Sequence, residues 1–222
     1  MADSAGASEH QVRVLRFRAA CLDHTLAQLR ELAGGLSAAD VRSAENTALC
    51  RACQGGRLDV VQWLVATFGL TAEDLRAGES RHAVADQRSA GLIPFVRACA
   101  EGHLELAQWL TAHFGLTAAD ARAGNNWALA WSSARGHLAV MRWLVEHFGL
   151  QAADARAGKN LALRGACTCD RLEAAQWLVA TFNLTRADAF DDGGSAFNLA
   201  AQRGHQRVLR WVLARFGPPP QR

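Results

Sequence analysis

Residues 46–79 read NTALCRACQGGRLDVVQWLVATFGLTAEDLRAGE, and the same text returns, with substitutions, further along the chain. Residues 92–125 read LIPFVRACAEGHLELAQWLTAHFGLTAADARAGN. Residues 126–159 read NWALAWSSARGHLAVMRWLVEHFGLQAADARAGK, and residues 160–193 read NLALRGACTCDRLEAAQWLVATFNLTRADAFDDG. A shorter copy, GSAFNLAAQRGHQRVLRWVLARFG, occupies 194–217. A divergent first copy occupies 12–45, where GGLSAADVRSA aligns with FGLTAEDLRAG. Trp109, Trp143, Trp177 and Trp211 are 34 residues apart. Trp63 precedes Trp109 by 46, and the excess of 12 is the insertion SRHAVADQRSAG at 80–91. A fixed period of this length with matching columns is the mark of a repeat array, in which neighbouring units bury one another's apolar faces. Residues 1–11 are expected to form a flexible N-terminus and 218–222 a C-terminal tail.

Each unit divides at its glycines. A first short helix stops at Gly56, Gly102, Gly136 or Gly204, where glycine supplies a left-handed turn. Asp170 stands there in the fifth unit and tolerates that conformation better than most residues. A longer second helix follows; in the third unit Leu104, Ala107, Leu110 and Thr111 share a face, widened by Leu106, Trp109 and Phe114. After Phe-Gly-Leu a third helical turn is predicted. Thr71 and Asp74, Thr117 and Asp120, and Thr185 and Asp188 fit the capping box, as do Ser37 and Asp40. Gln151 breaks that pattern, which predicts a more frayed turn in the fourth unit. The column Trp63, Trp109, Trp143, Trp177 and Trp211 is expected to form the hydrophobic core.

Composition narrows the function classes. Half of the residues are hydrophobic, ample for a core and against disorder. The net charge of +3, from 24 basic and 21 acidic residues, is too balanced to imply nucleic-acid binding by itself. MADSAGASEH has no apolar signal-peptide core, and no stretch approaches the ~20 apolar residues of a membrane span. The expectation is a cytoplasmic protein without a membrane anchor, or one in host-cell cytoplasm or nucleus if the source is viral. No P-loop, dinucleotide-binding glycine turn or HExxH occurs, so enzymatic activity is not expected.

The unit resembles the ankyrin repeat, whose pattern opens with Thr-Pro-Leu-His and continues with two alanines, Gly-His and a helix rich in Val and Leu. Pro94 in Ile93-Pro94-Phe95-Val96 takes the proline place, and Thr47-Ala48-Leu49-Cys50 is the same element without proline. Arg97-Ala98-Cys99-Ala100-Glu101-Gly102-His103 matches the alanine pair and the Gly-His. The resemblance spans about residues 12–217 and looks most like divergent arrays of large DNA viruses and some microbial eukaryotes. Two departures stand out: a 34-residue unit instead of 33, and LTAADARAG, a helical turn where the family places a β-hairpin finger. The implied architecture is all-α, an ankyrin-like helical solenoid of about six 34-residue units with little or no strand. The implied role is a protein–protein interaction scaffold, without shared catalytic residues, acting as a monomeric array that binds an unidentified protein partner. The charged ends, Arg13, Arg16, Arg18 and Glu31 at one and Arg207, Arg210 and Arg215 at the other, read as caps of a whole array.

In ankyrin-like arrays the first helix lines the concave surface where partners dock. Between the fixed alanines and leucines its variable residues here are Arg51, Gln54, Arg97, Glu101, Trp127, Trp131, Arg164, Asn198 and Gln202. Trp127 and Trp131 lie four apart on one helical face; together they would anchor a partner, or they fill gaps between units. Nucleic-acid binding through Arg51, Arg97, Arg164 and the tryptophans is the alternative, opposed by the balanced charge and the lack of a basic run. Arg42, Arg76, Arg122 and Arg156 form a column that either meets an acidic partner or pairs with the neighbouring aspartates. His103, His137 and His205 recur in register with Arg57 and Arg171. Neighbouring helices pack ~8–10 Å apart, too far to share a zinc with bonds near about 2.1 Å, so a hydrogen-bonding role is favoured. Cys53, Cys99 and Cys167 share a small-residue column with Ser133 and Ala201 and read as tight packing; the Cys50–Cys53 and Cys167–Cys169 pairs are each half a zinc site. No metal, cofactor or disulfide is expected. Insertion 80–91, with Arg81, His82, Asp86 and Arg88, either adds contacts or is neutral.

Overall fold

The computed structural model describes residues 2–76 and 93–219. The insertion 80–91 lies outside the described residues. Among those described, the regular structure is helical throughout and no strand occurs.

Contacts divide the chain into two units, Met1–Ala98 with Glu105–Gly115, and Cys99–Leu104 with Leu116–Arg222. The first unit holds α1 (Ala2–Ala20), α2 (Leu26–Leu32), α3 (Ala38–Gln54), α4 (Leu58–Phe68), α5 (Ala72–Arg76), nearly all of α6 (Ile93–Ala100) and of α7 (Leu104–Phe114). The second holds α8 (Ala118–Ala121), α9 (Ala123–Arg135), α10 (Leu138–Phe148), α11 (Ala152–Thr168), α12 (Leu172–Phe182), α13 (Arg186–Ala189), α14 (Asp191–Gln202) and α15 (Gln206–Phe216). The N-terminal segment expected to be flexible is helical from Ala2. His10 fixes its later part by bonding Asp40 at 2.9 Å, and Arg13 donates to the Gly34 carbonyl at 3.1 Å.

The local rules operate as the sequence predicts. Gly136 takes φ +82° and Asp170 takes φ +55°, so a non-glycine residue adopts the left-handed turn at the fifth helix end. The third helical turn is present as α5, α8, α13 and the start of α11. Its cap works through the aspartate: Thr71, Thr117 and Thr185 donate their backbone N–H to Asp74, Asp120 and Asp188 at 2.7–2.9 Å. The turn after Gln151 keeps this half of the box as well, because Asp154 accepts the Gln151 N–H at 2.7 Å. The hydroxyl was not the decisive group, so the expected fraying has no counterpart in the bonding.

The core differs from the expectation in one respect. On the 11-residue helices α4, α7, α10, α12 and α15 the buried face is aliphatic: Val60, Val61 and Leu64; Leu106, Ala107 and Leu110; Val140, Met141 and Leu144; Ala174, Ala175 and Leu178; Val208, Leu209 and Val212. The tryptophan column is only half-buried. Trp63, Trp109, Trp143, Trp177 and Trp211 each sit one position before or after a residue of that face, turned about 100° from it. Their rings meet a phenylalanine five residues on, edge to face, at centroid distances of 5.5–6.1 Å. They shield the rim of the aliphatic core.

Candidate functional site

Between the third helical turn and the next first helix the backbone makes an unusual passage. Gly124, Asn125 and Asn126 take φ +63°, +59° and +61°, and Gly158, Lys159 and Asn160 take +58°, +58° and +56°. Asparagine tolerates this region better than other residues with a Cβ. The last residue of each passage is buried, as is its counterpart Asn46. Asn46 donates to the Asp74 carbonyl at 2.7 Å and Asn160 to the Asp191 carboxylate at 3.0 Å, while Asn126 bonds Asp154. The sequence carried this signal, three asparagines in one column, but its weight was not apparent without the left-handed backbone that puts them inside.

The arginine column serves the same skeleton. Arg42 reaches Asp74 (Nε–Oδ1 2.7 Å), Arg122 reaches Asp154 (2.8 Å) and Arg156 reaches Asp188 (2.7 Å), each arginine bonding the capping aspartate 32 residues on. Partial burial works to raise the pKa of all three carboxyls, yet the guanidinium and the capping N–H groups outweigh it and hold them below the ordinary range. Asp40 lies at about 2, held there by the Ser37 hydroxyl and backbone N–H and by His10. For Arg42, Arg122 and Arg156 the structural alternative is the one the contacts support.

Histidines and cysteines are likewise bound into the packing. His205 Nε2 lies 2.9 Å from the Thr168 carbonyl. His137 covers Gly102 so closely that a Cβ there would come within 2.5 Å of its ring. Partial burial lowers the His137 pKa; Glu101 opposes this, and Arg135 and His103 add to it. Cys53, Cys99, Ser133 and Cys167 are buried, as a tight-packing column requires, whereas Ala201 is exposed. All six cysteines are free thiols, and burial raises Cys21 and Cys167 to about 12, far from a reactive thiolate. Among the described residues no group of three or more His, Cys, Asp or Glu is placed to hold a metal ion. An open cleft of about 350 Å³ lies between Asn183–Arg186 and the end of α15, where Arg186 donates to the Pro218 carbonyl at 2.7 Å.

The residues proposed for partner contact fall into two groups. In the first unit Arg51 and Arg97 are exposed on α3 and α6, and Gln54 is half-buried. In the second unit α9 and α14 pack on either side of α11, and these three helices carry Trp131, Arg164, Asn198 and Gln202. Trp131, Asn198 and Gln202 are exposed, Arg164 is half-buried, and Glu101 is half-buried in an ion pair with Arg135. The two adjacent tryptophans part company: Trp131 is 49% exposed and Trp127 only 9%. Trp127 follows directly on the left-handed passage, which lays its indole over Gly124, where a Cβ would meet the ring at 2.6 Å. Trp127 is therefore a packing residue. Trp131 shares its register with Arg51 and Arg97, 34 residues and multiples of it apart once the insertion is removed; all three are exposed, while Gly165 and Leu199 in the same register are half-buried.

Comparison with protein-family models and with curated proteins finds no match to this chain. Among the described residues no helix is long and apolar enough to cross a membrane.

Proposed function

We propose that the chain is an ankyrin-like solenoid that acts as a protein–protein interaction scaffold, holding its partner on the first-helix face rather than catalysing a reaction. The observation that carries this reading is the exposure of one first-helix register in three successive copies. Arg51, Arg97 and Trp131 stand out at equivalent positions while Ala52, Ala98 and Ser132 beside them are buried. A half-exposed tryptophan costs solubility and contributes little to a core, and interfaces favour tryptophan and arginine as anchors. The polar side chains that recur along the chain support the reading from the other direction, since Asp74, Asp154 and Asp188, Arg42, Arg122 and Arg156, and Asn46, Asn126 and Asn160 are engaged with the skeleton and leave the variable first-helix residues for recognition. The 34-residue period and the resemblance of Arg97–His103 to the ankyrin core motif support the solenoid.

Co-purification from the native cell tests the proposal, with wild type, Trp131→Ala and Arg97→Glu compared side by side. Loss of the same captured protein in either variant, with the melting temperature retained, is the expected result. Capture that is equal in all three would place the binding surface elsewhere.

A further inference from the structure

The second unit shows which chemistry its first-helix face suits. Helices α9, α11 and α14 lie side by side there. Their bodies, residues 127–135, 161–168 and 196–202, contain no aspartate or glutamate, yet carry Arg135 and Arg164, with Arg203 directly after α14. Most carboxylates of this unit are elsewhere: on the exposed sides of the second helices, as Glu146 and Glu173, and in the caps, as Asp154 and Asp188; Glu101 and Asp170 stand in the turns just after α6 and α11. The first unit shows the same segregation by itself, since 47–54 and 93–100 carry Arg51 and Arg97 and no acid.

The arginines of the face are oriented but not neutralised. Arg203 donates Nη1 to the Thr168 carbonyl at 3.2 Å, and Arg164 donates Nη1 to the Lys159 carbonyl at 3.5 Å. A carbonyl satisfies one N–H and leaves the charge uncompensated, with further donors of the planar fork available for a carboxylate. Glu101 alone answers a guanidinium here, that of Arg135. Trp131 stands on α9, and its register continues as Gly165 on the neighbouring α11, so no side chain of that position rises next to the indole.

We propose that this face binds an acidic, extended peptide segment of the partner, with an apolar side chain seated on Trp131 and carboxylates on Arg164 and Arg203. Three adjacent helices about 10 Å apart span roughly six residues of extended chain. The inference deepens the scaffold reading and rests on it. A single-stranded nucleic acid is the poorer fit, because base-stacking platforms repeat their aromatics, whereas Trp131 is followed in register by Gly165 and Leu199.

Selection of a random peptide library on the full chain tests the proposal, with Trp131→Ala and Arg203→Glu as counter-targets and a mixed-sequence single-stranded oligonucleotide as competitor. The expected result is recovery of peptides rich in Asp and Glu around an apolar residue. Their affinity should fall on the order of tenfold or more in each variant and decline with added salt, while both variants melt as wild type does. Neutral or basic recovered peptides, affinities unmoved by either variant, no selectable peptide, or displacement by the oligonucleotide at lower concentration would each overturn it. If cellular capture is lost in Trp131→Ala but acidic peptides are not selected, this inference falls and the scaffold stands. If capture is also insensitive to the face, both fall.

Discussion

Asp154 gathers three donors from three directions. Arg122 presents Nε at 2.8 Å and Nη2 at 3.2 Å, the Gln151 backbone N–H lies at 2.7 Å, and the buried Asn126 side chain completes the set. One carboxylate thus caps its own helix and ties it to the preceding turn. Arg122, by contrast, is exposed and has bulk water as an alternative. Asp154→Ala should therefore cost about 1–3 kcal/mol, the sum of a lost cap and a buried amide left without its acceptor. Arg122→Ala should cost clearly less, as an exposed ion pair. Urea unfolding of both variants and of the double variant measures the difference, and equal costs would contradict the division of labour.

The half-burial of the tryptophans leads to a second comparison on α10. Leu144 is fully buried, while Trp143 packs edge-on against Phe148 at 5.5 Å and over His147 at 5.3 Å and is only half-buried. Leu144→Ala should cost about 2–5 kcal/mol as a buried cavity. Trp143→Ala should cost about 1–2 kcal/mol, less than the usual loss for a buried tryptophan, because only part of its area is removed from water on folding. Thermal melts decide the matter: a Trp143→Ala variant that melts without cooperativity would restore the tryptophan to the centre of the core.

What could be read from the sequence follows from the range of the interactions. Helix stops at Gly136 and Asp170, and caps at Thr117–Asp120 and Thr185–Asp188, depend on residues a few positions apart, so the text alone displays them. Sorting Trp127 from Trp131 depends on the three left-handed residues before Trp127, a backbone state that helical spacing does not convey. The register of the repeat would have separated them, since Trp131 aligns with Arg51 and Arg97, and Trp127 with Thr47 and Ile93. Asn46, Asn126 and Asn160 are inconspicuous in the sequence for a related reason: asparagine in a polar turn is ordinary, and only burial makes it structural.

That passage can be tested through an exposed member. Asn125 has φ +59° and is exposed overall, with its Cβ close to Gly158, so its backbone conformation sets most of the outcome and crowding against Gly158 adds to the cost of a branched side chain. Asn125→Val should destabilise by about 1–2 kcal/mol, since a β-branched residue is poorly accommodated at positive φ. Asn125→Gly should lie within about 0.5 kcal/mol of wild type. Equal stability of the valine and glycine variants in urea would show that the left-handed turn is not held in solution.

Acid should act on the fold in two windows. Asp40, Asp74, Asp154 and Asp188 have folded pKa values below the ordinary aspartate value of 3.8, so their contribution is present above that value and is lost as pH falls through the folded ones, about 2 for Asp40. His137 gives the upper window. Its folded pKa lies below 6.5, so the unfolded chain binds the proton more readily, and stability declines as pH drops below 6.5 towards the folded value. Glu101 opposes that decline, while Arg135 and His103 enlarge it. Melting temperatures of wild type and His137→Gln from pH 7 down to pH 2 isolate the histidine: the wild-type slope between pH 7 and 5 should flatten in the variant while the acid limb below 3.8 stays unchanged. Parallel curves through this range would mean that His137 is protonated as easily in the folded chain as in the unfolded one, and that its burial against Gly102 does not persist in solution.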